Sequence, residues 1–131
     1  MSLSVTLRHQ FPGFALDASF EVGGGLTAVM GRSGAGKTTI ANAVAGLFRP
    51  DHGRVSVAGE TLLDTAGAID IPTHRRRIGY VFQEARLFPH LTVRRNLLYG
   101  KWFNGADGAE YDRIVEMLGI GPLLRRRPGA L

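Results

Sequence analysis

The chain has 131 residues, a length for one domain rather than two, and 44% of them are hydrophobic, enough for a packed core. It contains no cysteine, which excludes a disulfide framework and a thiolate metal centre and fits a reducing compartment; its net charge of +5 rests almost wholly on arginine, Lys37 and Lys101 being the two lysines. No apolar run approaches the roughly 20 residues that cross a bilayer, and residues 1–6 lack a basic region followed by an apolar one, so neither a membrane span nor a signal peptide is expected.

Residues 3–9 alternate apolar and polar side chains, the period of a half-buried strand. Phe11-Pro12-Gly13 reads as a turn. Residues 14–22 read as a second strand with Phe14, Leu16, Ala18, Phe20 and Val22 on one face, and the two strands are expected to pair antiparallel. Phe11 stands at the tip of that pair, where a ring is placed to stack on a purine. After Gly23-Gly24-Gly25 comes a short apolar run, Leu26-Thr27-Ala28-Val29-Met30, which reads as a buried strand.

That run leads into Gly31-Arg32-Ser33-Gly34-Ala35-Gly36-Lys37-Thr38-Thr39, which fits the phosphate-loop pattern G-x-x-x-x-G-K-[ST] without a mismatch. The glycines let the backbone wrap a phosphate chain with its N–H groups pointing inward. Lys37 brings a charge to the β- and γ-phosphates, and Thr38 offers a hydroxyl to Mg²⁺. Residues 40–47 read as the helix that follows, stopping near Arg49-Pro50, and its N-terminus adds free N–H groups and its dipole. Strand, glycine loop and helix in this order imply a nucleoside-triphosphate binder.

Beyond the helix, Pro50-Asp51-His52-Gly53 is a turn and residues 54–59 a strand that joins the antiparallel section. Residues 60–71 read as loop, because Asp64, Gly67 and Asp70 interrupt any period. Thr73 is placed to cap a short turn through His74, Arg75 and Arg76. Residues 78–82 form another apolar run, read as a second central strand ending at Gln83. Leu87-Phe88-Pro89-His90-Leu91 is an apolar surface loop, and Thr92 is an N-cap for a helix through Tyr99 that Gly100 ends. Residues 101–108 read as a polar linker. Residues 109–118 read as an amphipathic helix that buries Ile114, Val115, Met117 and Leu118, with Gly119 as its stop. The runs Arg75-Arg76-Arg77 and Arg125-Arg126-Arg127 lack interleaved aromatic residues, so they read as solvated helix ends and not as a nucleic-acid or anionic-lipid surface.

The glycine loop together with Arg76-Arg77-Ile78-Gly79-Tyr80-Val81-Phe82-Gln83 resembles the ATP-binding subunits of ATP-binding cassette (ABC) transporters. Leu87-Phe88-Pro89-His90-Leu91-Thr92-Val93 with Asn96-Leu97 is close to the importer branch. The stretches 84–90, 118–120 and 122–124 resemble the molybdate-importing group. The resemblance implies an α/β P-loop NTPase core, incomplete, with an N-terminal antiparallel β section. Residues 1–83 would form the β section and phosphate-loop core, and 84–131 the Q-loop and the start of a helical subdomain. It implies that ATP and Mg²⁺ are bound by Gly31, Arg32, Ser33, Gly34, Ala35, Gly36, Lys37, Thr38 and Thr39. Phe11 would stack on adenine. Thr38 and Gln83 would ligate Mg²⁺, and Lys37 and Gln83 would serve the reaction. It implies membrane permease subunits docked on a groove at 84–95, a homodimer in the full-length protein, an indirect link to a periplasmic binding protein, and a peripheral place on the cytoplasmic face of the inner membrane.

Hydrolysis also needs a positioned water, a base or orienting group, and metal ligands beyond one hydroxyl. In the family these come from an apolar strand ending in Asp-Glu and from a later histidine, and a Leu-Ser-Gly-Gly segment closes the site across a dimer. None of these is found in the 131 residues; Glu84, after Gln83, is the nearest approach to the missing base. The chain is therefore expected to be an N-terminal portion, inactive alone, with two apolar strand edges open. A nucleotide kinase, a GTPase, an importer ATPase for another ion and a DNA-repair ATPase are the alternatives.

Overall fold

The computed structural model describes residues 2–100 and 108–131, with side chains outside 108 and 109. The chain divides into two compact units, residues 1–81 and 82–131.

The first unit is built on a five-stranded antiparallel sheet: β1 (Leu3–Phe11), β2 (Phe14–Val22), β3 (His52–Val57), β4 (Glu60–Asp64) and β5 (Ile69–Asp70), in the order β2-β1-β3-β4-β5. β1 and β2 pair from Leu3 opposite Val22 to Phe11 opposite Phe14, as expected, closed by Pro12-Gly13 with Gly13 at φ +80°. β3 pairs with β1 from Val57 opposite Leu3 to His52 opposite Arg8. Because β-strand side chains alternate, Val5, Leu7, Val55 and Leu63 fall on one face and are essentially fully buried. Helix α1 (Lys37–Ala45) covers that face with Ala43, Ile40 and Val44, and Phe48 closes its end.

The reading of 60–71 as loop is corrected: β4 and β5 form there. Ala58 (φ +51°) and Gly59 (φ +84°) make the two-residue turn with both central residues left-handed that a tight hairpin requires. Asp64 does not break the strand; its Oδ1 accepts the N–H groups of Ala66 and Gly67 at 3.0 Å and folds the next turn. The two apolar runs 26–30 and 78–82 are also corrected, since neither is a paired strand in the described residues. A parallel central strand takes its hydrogen bonds and its burial from neighbours on both sides. Here Leu26, Met30 and Val81 are left exposed. Helix α1 ends at Ala45, not near Arg49-Pro50, because Gly46 turns left-handed (φ +81°) and Leu47 N–H donates back to Asn42 at 2.8 Å.

The second unit holds α2 (Val93–Leu98) and α3 (Gly108–Met117), then short 3-10 turns at Gly121–Leu123 and Pro128–Ala130. Thr92 caps α2 as expected, its Oγ1 accepting from Arg95 N–H at 3.3 Å. The first free N–H groups of α2, on Val93 and Arg94, donate to the carbonyls of Arg126 and Leu124. Gly119, at φ +63°, follows α3, but the expected buried stripe is corrected: Ile114, Met117 and Leu118 are exposed. The amphipathic period sets which residues share a face and not whether anything covers it. The expected 101–108 linker lies outside the described residues apart from Gly108.

One polar tie joins the hairpin to the chain after α1. Gln10 N–H donates to Asp51 Oδ2 at 2.9 Å, and this bond, helped by His9 and His52, holds the Asp51 carboxyl below the ordinary carboxylate range. A depressed pKa means that the stabilisation is present above the unfolded-state value and is lost as pH falls through the folded one. Thermal melts of wild type and Asp51→Asn should therefore differ at neutral pH and converge below about pH 4; a difference that persists unchanged into acid would contradict this assignment.

Candidate phosphate-binding site

Between the apolar run 26–30 and α1, residues 31–35 of the loop are exposed, and Gly36 and Lys37, the first residue of α1, are half-buried. Gly34 (φ +79°) and Gly36 (φ +89°) hold left-handed conformations that admit glycine readily. Gly36 has a second reason to be glycine. A Cβ built on it would lie 2.8 Å from Leu16 Cδ1 and 3.4 Å from Phe14 Cζ, so the loop can press onto β2 only without a side chain there. Gly36 is also the N-cap of α1, and its carbonyl accepts from Ile40 N–H at 3.0 Å. No side chain caps this helix and its first turn carries no acidic residue, so the free N–H groups and the positive dipole end are unopposed.

Lys37 folds across the loop. Its Nζ donates to the carbonyls of Gly31 at 2.8 Å and Arg32 at 2.7 Å. An ammonium has three N–H donors, so this geometry curls the loop round the charge while one donor points elsewhere. Thr38 and Thr39 follow on the first turn of α1, Thr38 exposed and Thr39 half-buried. A hydroxyl at Thr38 is a hard oxygen ligand suited to Mg²⁺, which is held through few protein groups plus phosphate oxygens. The structure thus brings the expected residues from Gly31 to Thr39 into one cradle.

Phe11 belongs to a ring cluster. His9 meets it edge-on at 4.3 Å, and Phe14 and Phe48 stack with it at 5.7 and 5.9 Å. Phe14, at the other end of the turn, is the ring that touches Gly36. Gln83 belongs to the second unit and is exposed, directly after Phe82, whose ring carries the Arg86 guanidinium at 5.4 Å. Glu84 is exposed as well, 4.0 Å from Arg86.

In the second unit the loop 87–91 is organised by the side chain of Asn96, a role of which the sequence carries no sign. Asn96 Oδ1 accepts from Phe88 N–H at 2.8 Å, and its amide nitrogen donates to the carbonyls of Phe88, Leu91 and Thr92. Beside it opens a cleft of about 720 Å³ lined by Leu91, Arg94, Arg95, Leu98, Tyr99 and Leu124, among others. The reading of Arg75-Arg76-Arg77 as uniformly solvated is corrected too: the Arg76 side chain is 1% exposed. An arginine run gives no sign of this, because two of the four groups that Arg76 meets, the carbonyls of Ala43 and Val44, lie more than thirty residues earlier.

Comparison with known proteins adds the following. The family model described as ABC transporter matches residues 17–131. The molybdenum import ATP-binding protein ModC of Rhizobium meliloti (strain 1021) is 57% identical over the whole chain, and that of Paramagnetospirillum magneticum (strain ATCC 700264 / AMB-1) 51% identical over 98% of it. The chain spans 37% and 36% of the lengths of these two relatives. Among solved structures, the dimeric post-hydrolysis state of the ATP-binding cassette MJ0796 bound to ADP and Pi is 26% identical, with a TM-score of 0.67, over all of this chain and 63% of that one. These matches favour none of the kinase, GTPase or DNA-repair alternatives.

Replacing Gly36 and Gly34 with alanine should separate the two roles of glycine. Gly34, with open space around it, should lose about 1 kcal/mol from its φ alone. Gly36→Ala should lose about 2–4 kcal/mol, because Leu16 must also move. Parallel urea titrations measure both, and equal losses would show that the contact with β2 is slack.

Proposed function

The chain belongs to the ABC transporter family, and from that membership we propose that it is the nucleotide-binding portion of the ATP-hydrolysing, energy-coupling subunit of an importer for molybdate. The observation that carries this reading is the cradle from Gly31 to Thr39, with Lys37 across it and the unopposed N-terminus of α1 at its end. The names of the relatives supply the cargo.

The triphosphate enters the loop and replaces the carbonyls of Gly31 and Arg32 as partners of Lys37. Phosphate oxygens offer the Lys37 ammonium anionic acceptors in place of neutral carbonyls, so the exchange gains the attraction of opposite charges. The N–H groups at the head of α1 take further oxygens. The Thr38 hydroxyl would hold Mg²⁺, which would neutralise phosphate charge. The adenine stacks at the β1–β2 turn on Phe11, whose ring is held in a cluster with His9, Phe14 and Phe48. In the whole protein Lys37 and Gln83 serve hydrolysis, two copies close on the nucleotide, and permease subunits dock on the groove at 84–95, where Leu87 and Phe88 are exposed on a loop fastened by Asn96. A periplasmic binding protein delivers the ion to those permeases. This places the subunit on the cytoplasmic face of the inner membrane, peripherally; among the described residues no helix is long and apolar enough to cross a membrane.

Titration with a fluorescent ATP analogue and with inorganic tripolyphosphate tests the reading. Lys37→Ala should weaken both by more than about tenfold. Phe11→Ala should weaken ATP by about two- to tenfold and leave tripolyphosphate unchanged. Wild-type affinity in Lys37→Ala would overturn the site, and equal losses of both ligands in Phe11→Ala would overturn the stacking role.

A further inference from the structure

Arg76 is the most deeply buried charge among the described residues and takes no part in the site as read so far. Its Nε donates to Ile71 carbonyl at 2.6 Å, its Nη1 to the carbonyls of Ala43 at 2.8 Å and Val44 at 2.9 Å, and its Nη2 to Asp70 Oδ1 at 3.0 Å. Ala43 and Val44 lie in the last turn of α1, where carbonyls have no partner within the helix; the Ala43 carbonyl also accepts from Gly46 N–H, at 3.2 Å. That turn carries no basic residue of its own, so Arg76 supplies the positive charge at the negative end of the helix whose other end heads the phosphate loop.

The surroundings are shaped to it. A Cβ on Gly46 would lie 2.7 Å from Arg76 Nε, and Thr73 Oγ1 donates to Gly46 carbonyl at 2.8 Å. Four residues beyond Arg76, Tyr80 OH donates to Asn42 Oδ1 at 2.8 Å. The stretch 70–80 thus grips α1 at Asn42, at the Ala43 and Val44 carbonyls, and at Gly46. An apolar side chain would fill the space without the cost of desolvating a guanidinium, whose one carboxylate partner is itself 39% exposed. Only a guanidinium adds a charge and a planar fork that fixes the helix end in angle as well as in position.

We propose that Arg76 is a positioning residue for the phosphate loop: it sets the seat of α1, and with it the placement of Lys37, Thr38 and the N–H groups that meet phosphate. This rests on the reading of the loop as a triphosphate site. Binding of inorganic tripolyphosphate is the test, since it bypasses the base site. It is measured on the full chain for wild type, Arg76→Met, Arg76→Lys and Asp70→Asn, each well below its own melting midpoint, with thermal melts alongside. Arg76→Met should bind about three- to tenfold more weakly, and Arg76→Lys, which keeps charge but loses the fork, should fall between it and wild type. Arg76→Met with wild-type affinity and a lowered melting temperature would overturn the proposal, leaving Arg76 a packing residue. Should Arg76→Met not fold, Asp70→Asn decides: a loss of about twofold supports the proposal and wild-type affinity overturns it. Failure of the loop reading itself looks different, because wild type and Lys37→Ala would then be equally indifferent to tripolyphosphate.

Discussion

A nine-residue helix does not hold itself together in water, and the chemistry of this chain depends on how α1 is held. Its side is fixed by burial of Ala43 against Val5, Leu7, Val55 and Leu63, with Ile40 and Val44 packed on the same cluster. Its head is fixed by Gly36 pressed onto Leu16 and Phe14. Its tail is fixed by Arg76 and by the left-handed Gly46. The antiparallel sheet supplies the first two supports, and the stretch 70–80 supplies the third. The phosphate loop is free to be polar and exposed because the element behind it is fastened on three sides.

The fastening gives physical content to the loop's glycines. Positive φ at Gly34 and Gly36 curls the backbone, and Lys37 bonding to the carbonyls of Gly31 and Arg32 keeps the curl closed. A loop already curled round its own ammonium has little conformational entropy left to lose when phosphate oxygens take the place of those carbonyls. In the second unit Asn96 plays the corresponding part for residues 88–92, binding four backbone groups with one amide. Apolar Leu87 and Phe88 are thereby presented outward on an ordered loop.

The features that the sequence made legible are those decided locally. The glycine spacing, Thr92 as a cap, Gly119 as a stop and the alternation in β1 and β2 each depend on near neighbours, and each is found in the structure. What was illegible depends on distant chain. The hairpin of β3 and β4 was hidden because Ala58 occupies a left-handed turn position where Asn or Gly would have signalled it. The runs 26–30 and 78–82 are apolar enough for central strands, but pairing is a property of neighbours and not of the run. Ile114, Met117 and Leu118 share a stripe, yet only a covering surface would bury it. Arg76 looked like its neighbours Arg75 and Arg77; what distinguishes it is a set of carbonyls more than thirty residues earlier.

The central claim is that the backbone from Gly31 to Thr39 is where a nucleoside triphosphate is held. Amide ¹⁵N–¹H shifts recorded while Mg²⁺-ATP is added test it most directly, because the backbone N–H groups are themselves the proposed ligands. The account predicts that the amides of Gly34, Gly36, Lys37 and Thr38 move first and furthest, followed by those near Phe11. Saturable shifts confined to other residues, such as those lining the cleft by Leu98 and Tyr99, or no shifts at all in a folded chain, would contradict it.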